Sequence, residues 1–259
     1  MKTTFAGFDI SDFDFVSGFD IRISSFLLGT MARHLDPVCQ LCRREGIKLY
    51  LKGSRCDSPK CAIERRNIPP GMHGYRRGKS SEYGVRLREK QKLKRFYGIF
   101  ERQFRRYFQL ASRSPENTGE VLLSIMERRL DNVVHRLGFA PSRAAARQLV
   151  THGHVTLNGT ACNVPSLLLR AGDTVAVKSR PPRPRKEGKR GQKQGRGGLA
   201  LVKLNLQGNH QPIPDFLEIV SSDPPEGRMT RLPTRSDVDP RLSKDKPLEE
   251  QLIIEFCAR

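Results

Sequence analysis

Four of the six cysteines in this 259-residue chain fall within 23 residues: Cys39, Cys42, Cys56 and Cys61, spaced C-x2-C-x13-C-x4-C. A close cysteine pair can grip one side of a tetrahedral ion, and a second pair across a loop completes the shell. Zinc prefers soft thiolates in such sites, and four of them leave no open position for catalysis. The spacing predicts one structural Zn2+, although the second pair is wider than the usual x2 bite. Two disulfides are the competing use of these thiols, disfavoured in a reducing cytoplasm for a chain without an export signal. A redox switch would use the same four ligands. Cys162 and Cys257 lie far off in sequence and read as small buried hydrophobes.

Cations crowd the same segment: Arg43, Arg44, Lys48, Lys52, Arg55, Lys60, Arg65 and Arg66. Any one of them reads equally well as a solvated surface residue. Eight on a compact, metal-pinned loop suit a rigid phosphate clamp, because holding them in place lowers the ordering entropy due on binding. Arg86, Arg88, Lys90 and Lys92 extend the run along a predicted helix.

The whole chain carries 47 Lys and Arg against 27 Asp and Glu, a formal net charge of +20. The excess is uneven: +14 sits in residues 31–111 and +7 in residues 179–198, with a near-neutral segment between. Such asymmetry fits a surface that tracks a polyanion, where each neutralised phosphate releases counterions. No apolar run is long enough to span a membrane. The first thirty residues are Phe-rich and acidic (Asp9, Asp12, Asp14, Asp20), unlike a secretory or mitochondrial leader, so the expected location is the cytoplasm.

These residues need elements to hold them. Helices are predicted over 80–96 and 101–111, the second with Phe104, Tyr107 and Phe108 inward. Thr118-Gly119-Glu120 opens an amphipathic helix through Leu122, Met126, Leu130, Val133 and Leu137, stopped by Gly138. Ser142 N-caps another that ends at Gly153. The period then changes to two, and Asn158-Gly159 marks a type I′ hairpin between 154–157 and 160–163, with a further strand at 174–177. Residues 179–198, rich in Pro, Gly and Lys/Arg, read as a basic linker. Strand-like stretches resume at Leu199–Leu206 and Gln251–Phe256. Arg143 and Arg147, four apart on one helix, should project together. With His152 and Asn158 at the following turn they form a polar edge suited to phosphates and 2′-hydroxyls of folded RNA.

The run from Arg128-Arg129-Leu130-Asp131-Asn132 through Ser142-Arg143, Ala146-Arg147-Gln148-Leu149-Val150, His152-Gly153-His154 and Leu157-Asn158-Gly159 resembles the RNA-binding module named after small-subunit ribosomal protein number four. The likeness to that ribosomal family, in its bacterial, zinc-bearing form, extends to Pro37-Val38-Cys39, Leu49-Tyr50-Leu51-Lys52, Pro69-Pro70-Gly71, the stretch Tyr83–Lys92 and the C-terminal Glu250–Phe256. The resemblance implies a two-domain protein with the module inserted into a mainly helical first domain. It also implies early binding to small-subunit (16S-type) rRNA that nucleates assembly, contact with neighbouring protein number five, an influence on decoding accuracy, and a place near the channel through which mRNA enters. Two features depart from the family: residues 1–30 have no counterpart, and the basic linker replaces a helical stretch.

The expected fold is thus α+β. Residues 1–30 form an extension, 31–118 a zinc knuckle and basic helical rRNA-binding domain, and 119–178 the two-helix, antiparallel-strand module. The linker spans 179–198, and 199–259 form C-terminal strands and a tail that pack on the earlier domains. An RNA-modifying enzyme of the pseudouridine-synthase kind, borrowing the same module, is the alternative, but no catalytic motif appears. A zinc-containing DNA-binding regulator is weaker, because the module reads folded RNA.

Overall fold

The computed structural model describes residues 34, 36–72, 74, 78, 81–178, 202–203, 205–206, 212–242 and 247–258. The predicted extension, the linker and residues 199–201 lie outside the described residues. The elements run in the order α1 (Cys39–Glu45), a 3-10 turn (Gly53–Cys56), α2 (Ala62–Arg65), α3 (Glu82–Phe96), α4 (Glu101–Ser112), α5 (Thr118–Glu127), α6 (Leu130–Arg136), α7 (Arg143–Thr151), strands β1 (Val155–Leu157), β2 (Thr160–Cys162), β3 (Thr174–Val177), β4 (Leu217–Ser222) and β5 (Pro225–Met229), and α8 (Glu250–Ala258). The α+β class is as expected.

Two cores organise these elements. The first joins Leu49, Leu93, Phe96, Phe104 and Tyr107 with Leu122, Leu123 and Met126 of α5, and it is completed by Leu242, Leu248 and Ile253 from the far end of the chain. The second joins Leu130, Val133, Leu137 and Phe139 with Val150, Val155, Val175 and Val177, and with Phe216 and Met229. Residues 119–127, grouped with the module on sequence, therefore pack into the helical core. The sheet is antiparallel, in the order β2-β1-β3-β5-β4. Its hairpin has the expected turn, with Asn158 at φ 50 and Gly159 at φ 78, and Leu157 opposite Thr160.

Four expectations change. The long helix predicted from Thr118 is two, because Arg129 leaves the helical region (φ −65, ψ 137). The break frees backbone groups to bond the 165–169 segment: Leu130 N–H donates to Leu167 O at 2.9 Å and Leu169 N–H to Arg128 O at 2.9 Å. The predicted strand at 251–256 is α8, whose Ile253 and Cys257 share the helical i,i+4 spacing and pack on the first core. Val202, Lys203, Asn205 and Leu206 are helical rather than strand-like. Strands β4 and β5 went unpredicted. They pair with one another and, through β5, with β3.

The cysteine loop and the module touch closely. Gly53, at φ 62, has the carbonyl of Pro141 where a Cβ would stand, 2.2 Å away, so only glycine fits.

Candidate nucleic-acid interface and metal centre

The cysteines come from three local structures. Cys39 and Cys42 lie one turn apart on α1, whose end is set by Gly46 in the left-handed region. Cys56 closes the 3-10 turn, and Cys61 stands just before α2 with extended backbone. All four thiols are free, and they line one small cavity with Val38, Leu51 and Ala62. Burial pushes the Cys42 thiol up to about 11, and the other three cysteines add to that rise. Cys56 is raised for the same reason. Mutually repelling, desolvated sulfurs in one pocket are the donor set that a soft cation relieves. As the side chains are placed, no group of three or more His, Cys, Asp or Glu among the described residues converges on a metal position. The pocket's four thiols suit zinc in their chemistry, but as placed they do not converge on one point.

Around this pocket the cations are mostly outward. Arg44, Lys52, Arg55, Lys60, Arg65 and Arg66 are exposed, and Lys52, Arg55 and Lys60 border the same cavity as the cysteines. Arg43 is half-buried, with Nη1 donating to Ile68 O at 3.5 Å. Lys48 pairs with Glu64.

On α3 the expectation divides. Arg86 is bridged to Glu82 at 3.1 Å and to Glu255 of α8 at 2.9 Å, and Arg88 reaches Glu45 at 3.4 Å. Lys90 and Lys92 are corrections: neither is a surface cation. Lys90 Nζ lies 2.6 Å from Glu101 and 4.6 Å from the Phe256 ring centre. Lys92 Nζ donates to Pro247 O at 3.2 Å and lies 3.6 Å from Glu89. Two residues apart, they point to different sides of α3, both covered: Lys90 meets α4 and α8 and Lys92 the segment before α8, so their stems fill core space and their heads find internal acceptors.

The module corrects a second pair. Ser142 caps α7 through Ala145 N–H at 3.3 Å, as expected. Arg143, however, turns inward: its guanidinium donates to Asn132 Oδ1 at 2.8 Å and Asp239 Oδ2 at 2.8 Å. It also stacks 4.0 Å from the Phe96 ring centre, and the side chain is 10 % exposed. Arg147 pairs with Asp131 at 3.2 Å and keeps a quarter of its side chain exposed. These two arginines do not project together into solvent. Asn158 is also spent internally, donating to Asp173 Oδ1 at 2.9 Å and accepting from Thr174 N–H at 2.9 Å, which fixes the hairpin. His152 is exposed beside His154, ring centres 6.2 Å apart.

Arg143 belongs to a buried ionic junction between the two cores. Arg129 forks onto Asp131 at 3.0 and 2.6 Å and donates to the Tyr107 hydroxyl at 2.5 Å. Glu127 accepts from the Tyr97 hydroxyl at 2.6 Å and from Asn132 Nδ2 at 2.6 Å. Burial alone would raise the Asp239 carboxyl, but Arg143 and Arg136 outweigh it and hold the group below its ordinary value. Sequence reasoning also missed the outer face of α4, where Arg102, Arg105, Arg106 and Arg113 are exposed. The 3.6-residue period that placed Phe104 and Tyr107 inward carried that signal.

Comparison with known proteins follows these boundaries. Residues 33–127 match the ribosomal protein S4/S9 N-terminal domain, and residues 128–175 match the S4 domain. The chain is 49 % identical over 229 residues to small ribosomal subunit protein uS4 of Halothermothrix orenii, covering 88 % of this chain and all of that relative. It is equally similar to uS4A of Alkaliphilus metalliredigens, with the same coverage. It is 49 % identical over 233 residues to uS4 of Thermus thermophilus, again over all of the relative. The chain belongs to the ribosomal S4 (uS4) family.

Proposed function

We propose that this protein is a structural constituent of the small ribosomal subunit and binds its rRNA. The observation that carries the reading is the setting of the module. It is fused to a cation-studded helical half, and the relatives that share this arrangement along their whole length are small-subunit proteins. The work is binding rather than catalysis, because outward arginines and lysines position a phosphate backbone without touching a reacting bond. The place of action is the cytoplasmic ribosome; among the described residues no helix is long and apolar enough to cross a membrane. Sucrose-gradient fractionation of cell extracts tests this: the protein should sediment with small subunits, and recovery only as free protein would refute it.

The finer reading is that it binds early and nucleates assembly, contacts protein number five, lies near the channel through which mRNA enters, and affects decoding accuracy. Binding to a naked 16S-type transcript without other proteins is the expected mark of an early binder.

The metal reading goes with it. Cys39, Cys42, Cys56 and Cys61 hold one structural Zn2+, which supplies a cross-link between α1, the 3-10 turn and the start of α2. The support is a cavity lined by all four free thiols, each able to swing about one side-chain torsion. Protein purified without added metal should carry one zinc per chain by mass spectrometry of the native protein. Chelation or Cys56→Ser should loosen the loop and weaken rRNA binding, while Cys257→Ser should do neither. A metal-free protein with full rRNA affinity would refute the assignment.

A further inference from the structure

Helix α4 presents two unlike faces. Phe104, Tyr107 and Ala111 are buried in the first core, so the helix is held without help from its outer side. On that outer side Arg102, Arg106, Gln109 and Arg113 fall within an arc of about 60° and run about 16 Å along the axis. All four are exposed, with Arg105 and Leu110 flanking them.

Their charge is not spent within the described residues. Arg102, Arg106 and Arg113 form no ion pair there. Arg105 alone meets a carboxylate, with Nε 3.3 Å from Glu101 Oε1. Glu101 itself is claimed from the inner side by Lys90 at 2.6 Å and Lys94 at 3.1 Å, and these two lysines pull its carboxyl down to about 2. The one acid at the base of the row is therefore already neutralised.

We infer that the outer face of α4 is a further RNA-binding surface that takes phosphates along one rRNA strand. The inference rests on the rRNA-binding reading above and adds a site to it. Along the helix Arg106 stands about 6 Å above Arg102 and Arg113 about 10 Å beyond that, so three two-pronged donors face a line of phosphates from one rigid support. Gln109, between the arginines, offers donor and acceptor to a ribose 2′-hydroxyl. A carboxylate would accept these forks as a phosphate does; what favours the nucleic acid is the rRNA-binding reading on which this site rests, and the salt titration below measures phosphate contacts directly.

The test is a KCl titration of binding by the full-length protein to an in vitro small-subunit rRNA transcript. The triple variant Arg102→Gln, Arg106→Gln, Arg113→Gln keeps good helix formers and leaves the inner face untouched. Its log–log salt slope should be shallower by about 2, at roughly 0.7–0.9 per lost phosphate contact. The same three positions as lysine should restore the slope. If the triple variant loses helicity by circular dichroism, Arg106→Gln alone carries the test, with a slope change of about 0.8. A steep wild-type slope shared unchanged by a folded glutamine variant would overturn the α4 site and leave the rRNA-binding reading standing. A wild-type protein without salt-dependent affinity for the transcript would overturn that reading itself.

Discussion

The arginines of α4 and those of the α6–α7 junction look alike in sequence and differ in every physical respect. Arg102 and Arg106 stand in solvent above a packed helix. Arg129 is 1 % exposed with its fork closed on Asp131, and Arg143 is held between Asp239 and the Phe96 ring. A cation becomes structural when the fold supplies a desolvated carboxylate in reach. It remains available to a ligand when the fold supplies only a rigid platform. Charge counts along the chain do not distinguish the two.

The largest effect should come from breaking the buried set. Arg129→Ala takes the forked partner from Asp131, leaving it Arg147 at 3.2 Å and the Asn132 N–H, and it strips the Tyr107 hydroxyl of its donor. The loss should fall at the lower end of the range for breaking a buried pair, about 3 kcal/mol. Urea denaturation should register that loss. Arg106→Gln in the same assay should stay within about 0.5 kcal/mol, as exposed substitutions do. Equal losses would erase the distinction.

Acid should attack the junction next. His135 is buried, with Nδ1 3.1 Å from the Ala140 carbonyl, to which the neutral ring donates. Desolvation, helped by the nearby Arg143 charge, lowers its pKa from 6.5 to about 3. The folded value lies below the unfolded one, so the unfolded chain takes up the extra proton. This contribution is complete above pH 6.5 and is lost as pH falls toward 3. The loss should be on the order of 2–3 kcal/mol between pH 6.5 and 4. Subtracting the stability profile of His135→Gln should isolate it; parallel profiles would mean that the ring titrates normally.

A smaller effect separates fork from charge. Arg143→Lys keeps the cation but cannot bond Asn132 and Asp239 together while stacking on Phe96. It should cost about 1–2 kcal/mol in stability and leave the RNA salt slope unchanged. Arg44→Gln should do the reverse, with a slope shallower by about 0.8 and no change in midpoint. Because lysine would keep the charge of a phosphate contact, the decisive slope is that of Arg143→Gln, which should match the wild type; a shallower slope in that folded variant would return the residue to the RNA surface.

What could be read from sequence was local. Ser142 as a cap, Asn158-Gly159 as a turn, and the inward row of α4 each depend on residues a few positions apart. The cysteine spacing pointed to residues that line one cavity, but not to how their side chains are turned, and these do not converge on a metal position. The failures have long-range causes. Arg143 was read as an outward cation because its acceptor, Asp239, lies 96 residues away. The interruption at Arg129 depends on backbone partners near 165–169. Gln251–Phe256 looked like a strand because Leu252, Ile253 and Ile254 favour one; packing against the first core made it a helix. Strand β5 begins with Pro225 and carries Gly227, a composition that reads as loop until β3 and β4 pair with it on both sides.

The position of α8 bears on how the chain comes off its own template. Leu248 and Ile253 close a core whose other walls, α3 to α5, are translated more than a hundred residues earlier. Most of the module's core, from Leu130 to Met229, is made before that lid exists. During vectorial synthesis the module can condense first, while the N-terminal helices wait with an open apolar seam. Premature termination just upstream of α8 would release a polypeptide with a finished module and an unsealed helical half, a ready client for chaperones and proteases.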